Sequence, residues 1–81
     1  MTRKQLFELR LLYGYTLRQV ADKAGISHME VQYVEQGQRT LTPELEQKIV
    51  GAMYALNMED AKKRYRKAKK GAAENENKAA D

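Results

Sequence analysis

The chain has 81 residues, no cysteine, one histidine and a formal charge of +4. That length holds one small domain. The missing thiols exclude disulfide staples, thiolate metal sites and thiol catalysis. The same lack fits a reducing cytoplasm, the compartment expected here. No apolar run approaches the roughly 20 residues of a membrane span, and no secretory signal pattern opens the chain. A lone histidine without carboxylate or cysteine partners at ligand spacing offers neither a metal centre nor a catalytic set. No enzyme activity, metal or cofactor is therefore expected.

The charge is unevenly placed. Residues 1–61 carry seven basic and eight acidic side chains, net −1. The segment from Lys62 to Lys70 holds seven basic residues and no acid, net +7, and residues 71–81 return −2.

Thr2 with Gln5 opens the chain as a capping box, in which hydroxyl and side-chain amide satisfy each other's backbone N–H groups. The helix after it should run to about Tyr13 and stop at Gly14. Leu6, Leu9 and Tyr13 form its stripe, with Phe7 and Leu12 beside it. Leu11, Leu12 and Tyr13 are denser than one buried face requires, so part of this run should meet solvent. Tyr13 and Tyr15 read as packing around the loop.

Thr16 and Gln19 repeat the capping box, and Val20, Ala21 and Ala24 mark one face of a second helix. Gly25 follows, where a left-handed backbone costs little only for glycine. Ile26 turns inward. Ser27 with Glu30 makes a third box for a helix buried through Val31 and Val34 and closed by Gly37. Two helices joined by about three residues make a helix-turn-helix. The outward face of the second is then His28, Met29, Gln32, Tyr33 and Gln36.

Gln38, Arg39, Thr40 and Leu41 form a loop. Thr42 caps the next helix, with Pro43 at its first position and Glu44 suiting the dipole. This fourth helix should run from Pro43 to about Leu56 on an inward face of Leu45, Ile49, Ala52, Met53 and Leu56. Gly51 inside it costs roughly 1 kcal/mol against alanine, which close packing would explain. Asn57 reads as a break, with a thinner fifth helix to Lys70 on Met58, Ala61, Tyr65 and Ala68. From Gly71 the pattern is lost and disorder is expected. The divisions are a domain at 1–57, a basic helix or arm at 58–70 and a disordered tail at 71–81.

From about Leu9 to Met53 the sequence resembles the Cro and phage-repressor, or Xre-type, helix-turn-helix family. The carrying residues are Leu9-Arg10, Thr16, Val20-Ala21, Gly25-Ile26-Ser27, Val31, Val34-Glu35, Gly37 and the Leu45 to Met53 helix. It departs at Leu17, where the family often has glutamine, and at His28 and Met29, less polar than the usual pair. The resemblance implies an all-α, lambda-repressor-like fold of four to five helices. It also implies an ion pair between Arg10 and Glu35 clamping the first helix to the third. Its members imply a bacterial or phage regulator, often of plasmids or other mobile elements, and here a repressor.

On that reading the helix from His28 enters a DNA major groove. His28, Met29, Gln32 and Tyr33 are the base-reading candidates. Gln32 suits adenine, His28 a guanine or phosphate, and Met29 a thymine methyl. Glu30 reads as a cap. Thr16, Arg18, Gln19, Ser27, Gln38, Arg39 and Thr40 are placed to hold phosphates, which fixes register. Lys62, Lys63, Arg64, Arg66, Lys67, Lys69 and Lys70 supply counter-charge as a basic arm, or else their segment serves assembly. One reading helix covers few base pairs, so a homodimer on paired or repeated half-sites of double-stranded DNA about 34 Å apart is expected. Two rivals are a helix-turn-helix that binds protein, and a nonspecific architectural DNA binder acting through its basic end.

Overall fold

Short polar caps decide where the helices begin. In the computed structural model, which describes the backbone of residues 1–79 and the side chains of residues 1–69, the order is α1 (Arg3–Tyr13), α2 (Leu17–Ala24), α3 (His28–Glu35) and α4 (Pro43–Ala79). The described residues include no strand. Thr2 and Thr16 each complete the reciprocal capping box. The Thr16 hydroxyl accepts from the Gln19 N–H at 3.1 Å while the Gln19 amide oxygen accepts from the Thr16 N–H at 2.9 Å. Ser27 completes only half of its box: its hydroxyl accepts from the Glu30 N–H at 3.2 Å, and the Glu30 carboxylate does not return the bond.

Between α2 and α3 the chain turns in three residues. Gly25 holds φ +75°, and the Ile26 N–H donates to the Ala21 carbonyl at 3.1 Å, closing the helix end and pointing Ile26 back at the core. Leu6, Tyr15, Val20, Ala21, Val31, Val34, Ile49, Ala52 and Met53 form one buried cluster to which all four helices or their junctions contribute. Ala21 is fully buried where α2 meets its neighbours, as a small residue at a crossing must be. On α1, Leu6 alone is fully buried, and Leu11 and Leu12 stand in solvent at 55% and 81% exposure.

The fourth and fifth helices expected from the sequence are one helix. Asn57 does not break it; it sits half-buried in continuous α-structure. Extending a formed helix needs no new nucleus, and nothing between Leu56 and Lys70 is a glycine or proline. Within this continuous helix the Asp60 carboxylate accepts from the Tyr15 hydroxyl at 2.8 Å. Helical backbone is described as far as Ala79, within the tail marked off from Gly71. Ala80 and Asp81, the end of that expected tail, lie outside the described residues. Gly51 has no close neighbour: a Cβ built there meets nothing within 4 Å, so close packing does not account for it.

Candidate nucleic-acid interface

Helix α3 is fixed by its two ends and its buried side. Val31 and Val34 are fully buried. At its C-terminus, Glu35 takes the Arg10 guanidinium in a bidentate pair, Nε to Oε2 at 2.7 Å and Nη2 to Oε1 at 2.8 Å. The two side chains are only 11% and 6% exposed. Arg10 Nη1 donates to the Tyr15 carbonyl at 2.9 Å, and the guanidinium lies 5.5 Å above the Phe7 ring. One cation thus ties α1, α3 and the approach to α2.

A second arginine reaches the same place. Arg3 Nη1 donates to the Glu35 carbonyl at 3.1 Å, answering the electron-rich end of α3. Its guanidinium occupies the space where a Cβ on Gly37 would fall, 2.9 Å from Arg3 Cζ, and Gly37 has φ +79°. The backbone favours glycine there, and a side chain would in addition have to displace the exposed Arg3 guanidinium. The helix itself is capped at Gln36, one residue earlier. Arg3 was not legible in the sequence, since a basic residue beside a capping threonine is ordinary surface charge.

The opposite side of α3 faces outward. His28 and Gln36 are exposed, and Met29 and Tyr33 are 41% and 39% exposed. Gln32 is half-buried, in a groove also lined by Phe7, Leu17, Glu35 and Gln36. Gln32 and Gln36 therefore border Leu17, the position where the family often carries its own glutamine.

The flanking polar residues are exposed at the starts of α2 and α3 and in the loop after α3. Thr16, Arg18 and Gln19 lie exposed at the start of α2, where the first N–H groups of a helix lack internal partners. Capping uses the Thr16 oxygen and the Gln19 carbonyl, leaving a hydroxyl proton and an amide NH2 to donate. Ser27 is in the same condition. Beyond α3, the N–H groups of Gln38 and Arg39 both donate to the Tyr33 carbonyl, at 2.8 and 3.2 Å, so the loop is folded back onto the helix. Arg39 and Thr40 border a polar depression with Glu30, Glu44 and Lys48, which mixes both signs of charge.

The basic residues of the arm lie apart from this group, on the distal part of α4. From Lys62 to Lys69 every side chain is exposed. Lys70 has its side chain outside the described residues. Two contacts orient this part of α4. Tyr15, 8% exposed, donates to Asp60, and Lys23 at the end of α2 pairs with Glu59. Burial, then the hydrogen bond to Asp60 and its negative charge, raise the Tyr15 pKa above the ordinary tyrosine value. Tyr13 packs beside Tyr15 at 5.8 Å and edge-on to Tyr54 at 6.4 Å, as the packing role expected for both tyrosines requires. These tethers join residues 36 and 45 apart in sequence, and no local pattern announces them.

Among the described residues no group of three metal-ligating side chains occurs, and no helix is long and apolar enough to cross a membrane.

A two-helix corner, a polar outward helix face and an arginine clamp behind it define a helix-turn-helix domain. Residues 6–53 match the family profile described as Helix-turn-helix, more than half of the chain. The chain belongs to this family, the Xre-type helix-turn-helix of Cro and the lambda repressor, a family of DNA-binding regulators. No curated protein and no solved structure matches it.

Proposed function

We propose that this protein is a sequence-specific regulator of transcription that lays α3 in the major groove of double-stranded DNA and acts as a repressor from paired or repeated half-sites. The observation that carries the reading is the outward face of α3. His28, Met29, Tyr33 and Gln36 stand free on a helix whose other side is locked by Val31, Val34 and the Arg10–Glu35 pair. A rigid helix with a mixed donor, acceptor and apolar face fits the pattern of base edges and thymine methyls in that groove. His28, Met29, Gln32 and Tyr33 read bases. Thr16, Arg18, Gln19, Ser27, Gln38, Arg39 and Thr40 hold phosphates on either side, and the basic face of distal α4 adds counter-charge. Two copies on one site supply the length of sequence that one helix cannot read. The compartment of action is the cytoplasm of a bacterial cell, on chromosomal, phage or plasmid DNA.

Selection of bound sequences from random DNA tests this directly. Enrichment of a defined half-site, repeated at a spacing near one helical turn, is the expected result. The H28A/M29A/Q32A/Y33A variant should then lose at least about 100-fold in affinity for the selected site, since each good base contact is worth about 1–3 kcal/mol. Its affinity for random DNA should hardly change. No enrichment, with equal binding to all sequences, would point instead to an architectural binder. No binding at all would favour a protein partner.

A further inference from the structure

Along α4, beside its core-facing stripe, runs a line of partly uncovered apolar side chains that meets the domain at Val50 and Tyr54. Tyr54, Met58 and Tyr65 are 55%, 58% and 65% exposed, and Val50 and Ala61 are half-buried between and beside them. At 3.6 residues per turn these five positions fall within an arc of about 80°. The buried residues Ile49, Ala52 and Met53 belong to the core-facing stripe. At the proximal end the line runs into an open groove formed by Glu46, Gln47, Val50, Gly51 and Tyr54 and bordered by Met1. Single exposed apolar residues are ordinary, but a continuous line rimmed by charge marks a contact surface.

We infer that this face is covered by a second copy of the chain, with the two α4 helices antiparallel and crossing near Leu56. That arrangement sets the apolar line of one copy along the line of the other. About Leu56, Tyr54 faces the partner copy's position 58, Val50 faces positions 61 and 62, and Gln47 faces position 65. Helical side chains lean toward the N-terminus, so each Tyr65 leans into the groove beside Val50 and Gly51 of the other copy. The charges agree. Glu44 flanks the proximal end and Lys69 the distal end on the matching side of the helix, so acid meets base at each end; Glu46 is already paired with the N-terminal amine at 2.8 Å. A parallel pair would set the basic segments side by side, where like charges repel. Gly51 adds an independent observation. A helical glycine costs about 1 kcal/mol, and a Cβ built on it meets nothing within 4 Å in this chain; in the pair, the second helix crosses beside it. A two-fold, isologous contact of this kind is the common way for a small chain to dimerise. Lys63 and Lys67 point away from the contact and stay available to DNA.

The inference rests on the proposed DNA reading only in needing two copies, and its tests use no DNA. Sedimentation of the full chain should give twice the chain mass, and Met58→Glu should give the chain mass with an unchanged helical circular dichroism spectrum. Glu44→Lys should weaken the dimer at least tenfold, and E44K/K69E should restore it. The chain has no cysteine, so introduced thiols report direction. E44C alone and K69C alone should not cross-link, because each would lie about 35–40 Å from its own copy at 1.5 Å per residue; an equal mixture of the two should. A wild-type chain that sediments as a monomer at several hundred micromolar, a dimer that survives Met58→Glu, or self-linking of E44C overturns the proposal. Failure there leaves base reading by α3 untouched, and failure to select a DNA sequence leaves the dimer standing.

Discussion

The two parts of α4 share one backbone and live under different physics. From Leu45 to Leu56 the helix is held by burial, with Ile49 and Met53 essentially fully enclosed. Beyond Asn57 it is held by two polar tethers at Glu59 and Asp60, and then by nothing within the described side chains of its own chain. The first part is a wall of the domain that positions α3. The second is a projecting rod whose charge and apolar line are available to partners. On the proposed reading, the domain keeps its DNA-facing helix rigid while assembly and electrostatic attraction are carried on an extension that its core does not need.

Methionine substitutions test that contrast most sharply. Met53→Ala should cost about 2–5 kcal/mol, as for other fully buried large side chains, and with a domain this small that leaves much of the population unfolded. Met58→Ala, on the same helix, should stay within about 0.5 kcal/mol when measured at concentrations where the chain is monomeric. Urea titration with circular dichroism reads both. Equal losses would mean that the distal part is as well packed as the proximal. The clamp behind α3 belongs with the buried part: Glu35→Ala leaves Arg10 charged and enclosed, and should cost about 3–5 kcal/mol.

The rod's electrostatic role shows next. Lys63 and Lys67 lie off the apolar line, so K63Q/K67Q should leave folding and dimer mass alone. The dependence of DNA affinity on salt should flatten by about 0.9 in the log–log slope for each lysine that meets a phosphate. An unchanged slope across a salt series would assign those lysines to solvent.

A smaller effect concerns the joint between the two parts. Tyr15→Phe removes the donor to Asp60 and should cost about 1–2 kcal/mol near neutral pH, a typical value for a bond to a charged group with some water access. The pH dependence has a definite sign. Because the folded state raises the Tyr15 pKa, its contribution is full below the unfolded value of about 10 and is lost as pH rises through the folded value. The stability gap between wild type and Tyr15→Phe should therefore shrink in strong alkali. A gap that stays constant would show that the phenol does not ionise within the range where the fold survives.

Much of the architecture was legible because it is written locally. Thr2, Thr16 and Ser27 start their helices at three-residue range, and Gly14 and Gly25 end theirs. The family's spacing then named Arg10 and Glu35, 25 residues apart, as partners, which periodicity alone could not do. What stayed hidden depends on distance. Arg3 beneath Gly37, Tyr15 against Asp60 and Lys23 against Glu59 join parts of the chain with no shared pattern. The misplaced break at Asn57 has the converse cause. Asn57 and Asp60 have the composition of a cap, but a helix already anchored by Met53 and Leu56 continues through them more cheaply than a new one starts. The exposed face of α3 was legible as a face; which base each side chain meets is a property of the complex.

Gly51 gives the smallest effect and the most discriminating one. With no neighbour within 4 Å of an added methyl and an ordinary helical backbone, Gly51→Ala should stabilise the isolated chain by about 1 kcal/mol. For a domain of this size that raises the melting temperature by about 4–8 °C. The groove it borders is the one assigned to the second copy's Tyr65, so the same methyl should obstruct association. Melting and sedimentation of Gly51→Ala, each across a concentration series, separate the two effects. A higher melting temperature at low concentration together with a weaker dimer means that the glycine serves the paired helices. Stabilisation with undiminished association removes Gly51 from the interface and leaves the contact to Tyr54, Met58 and Tyr65.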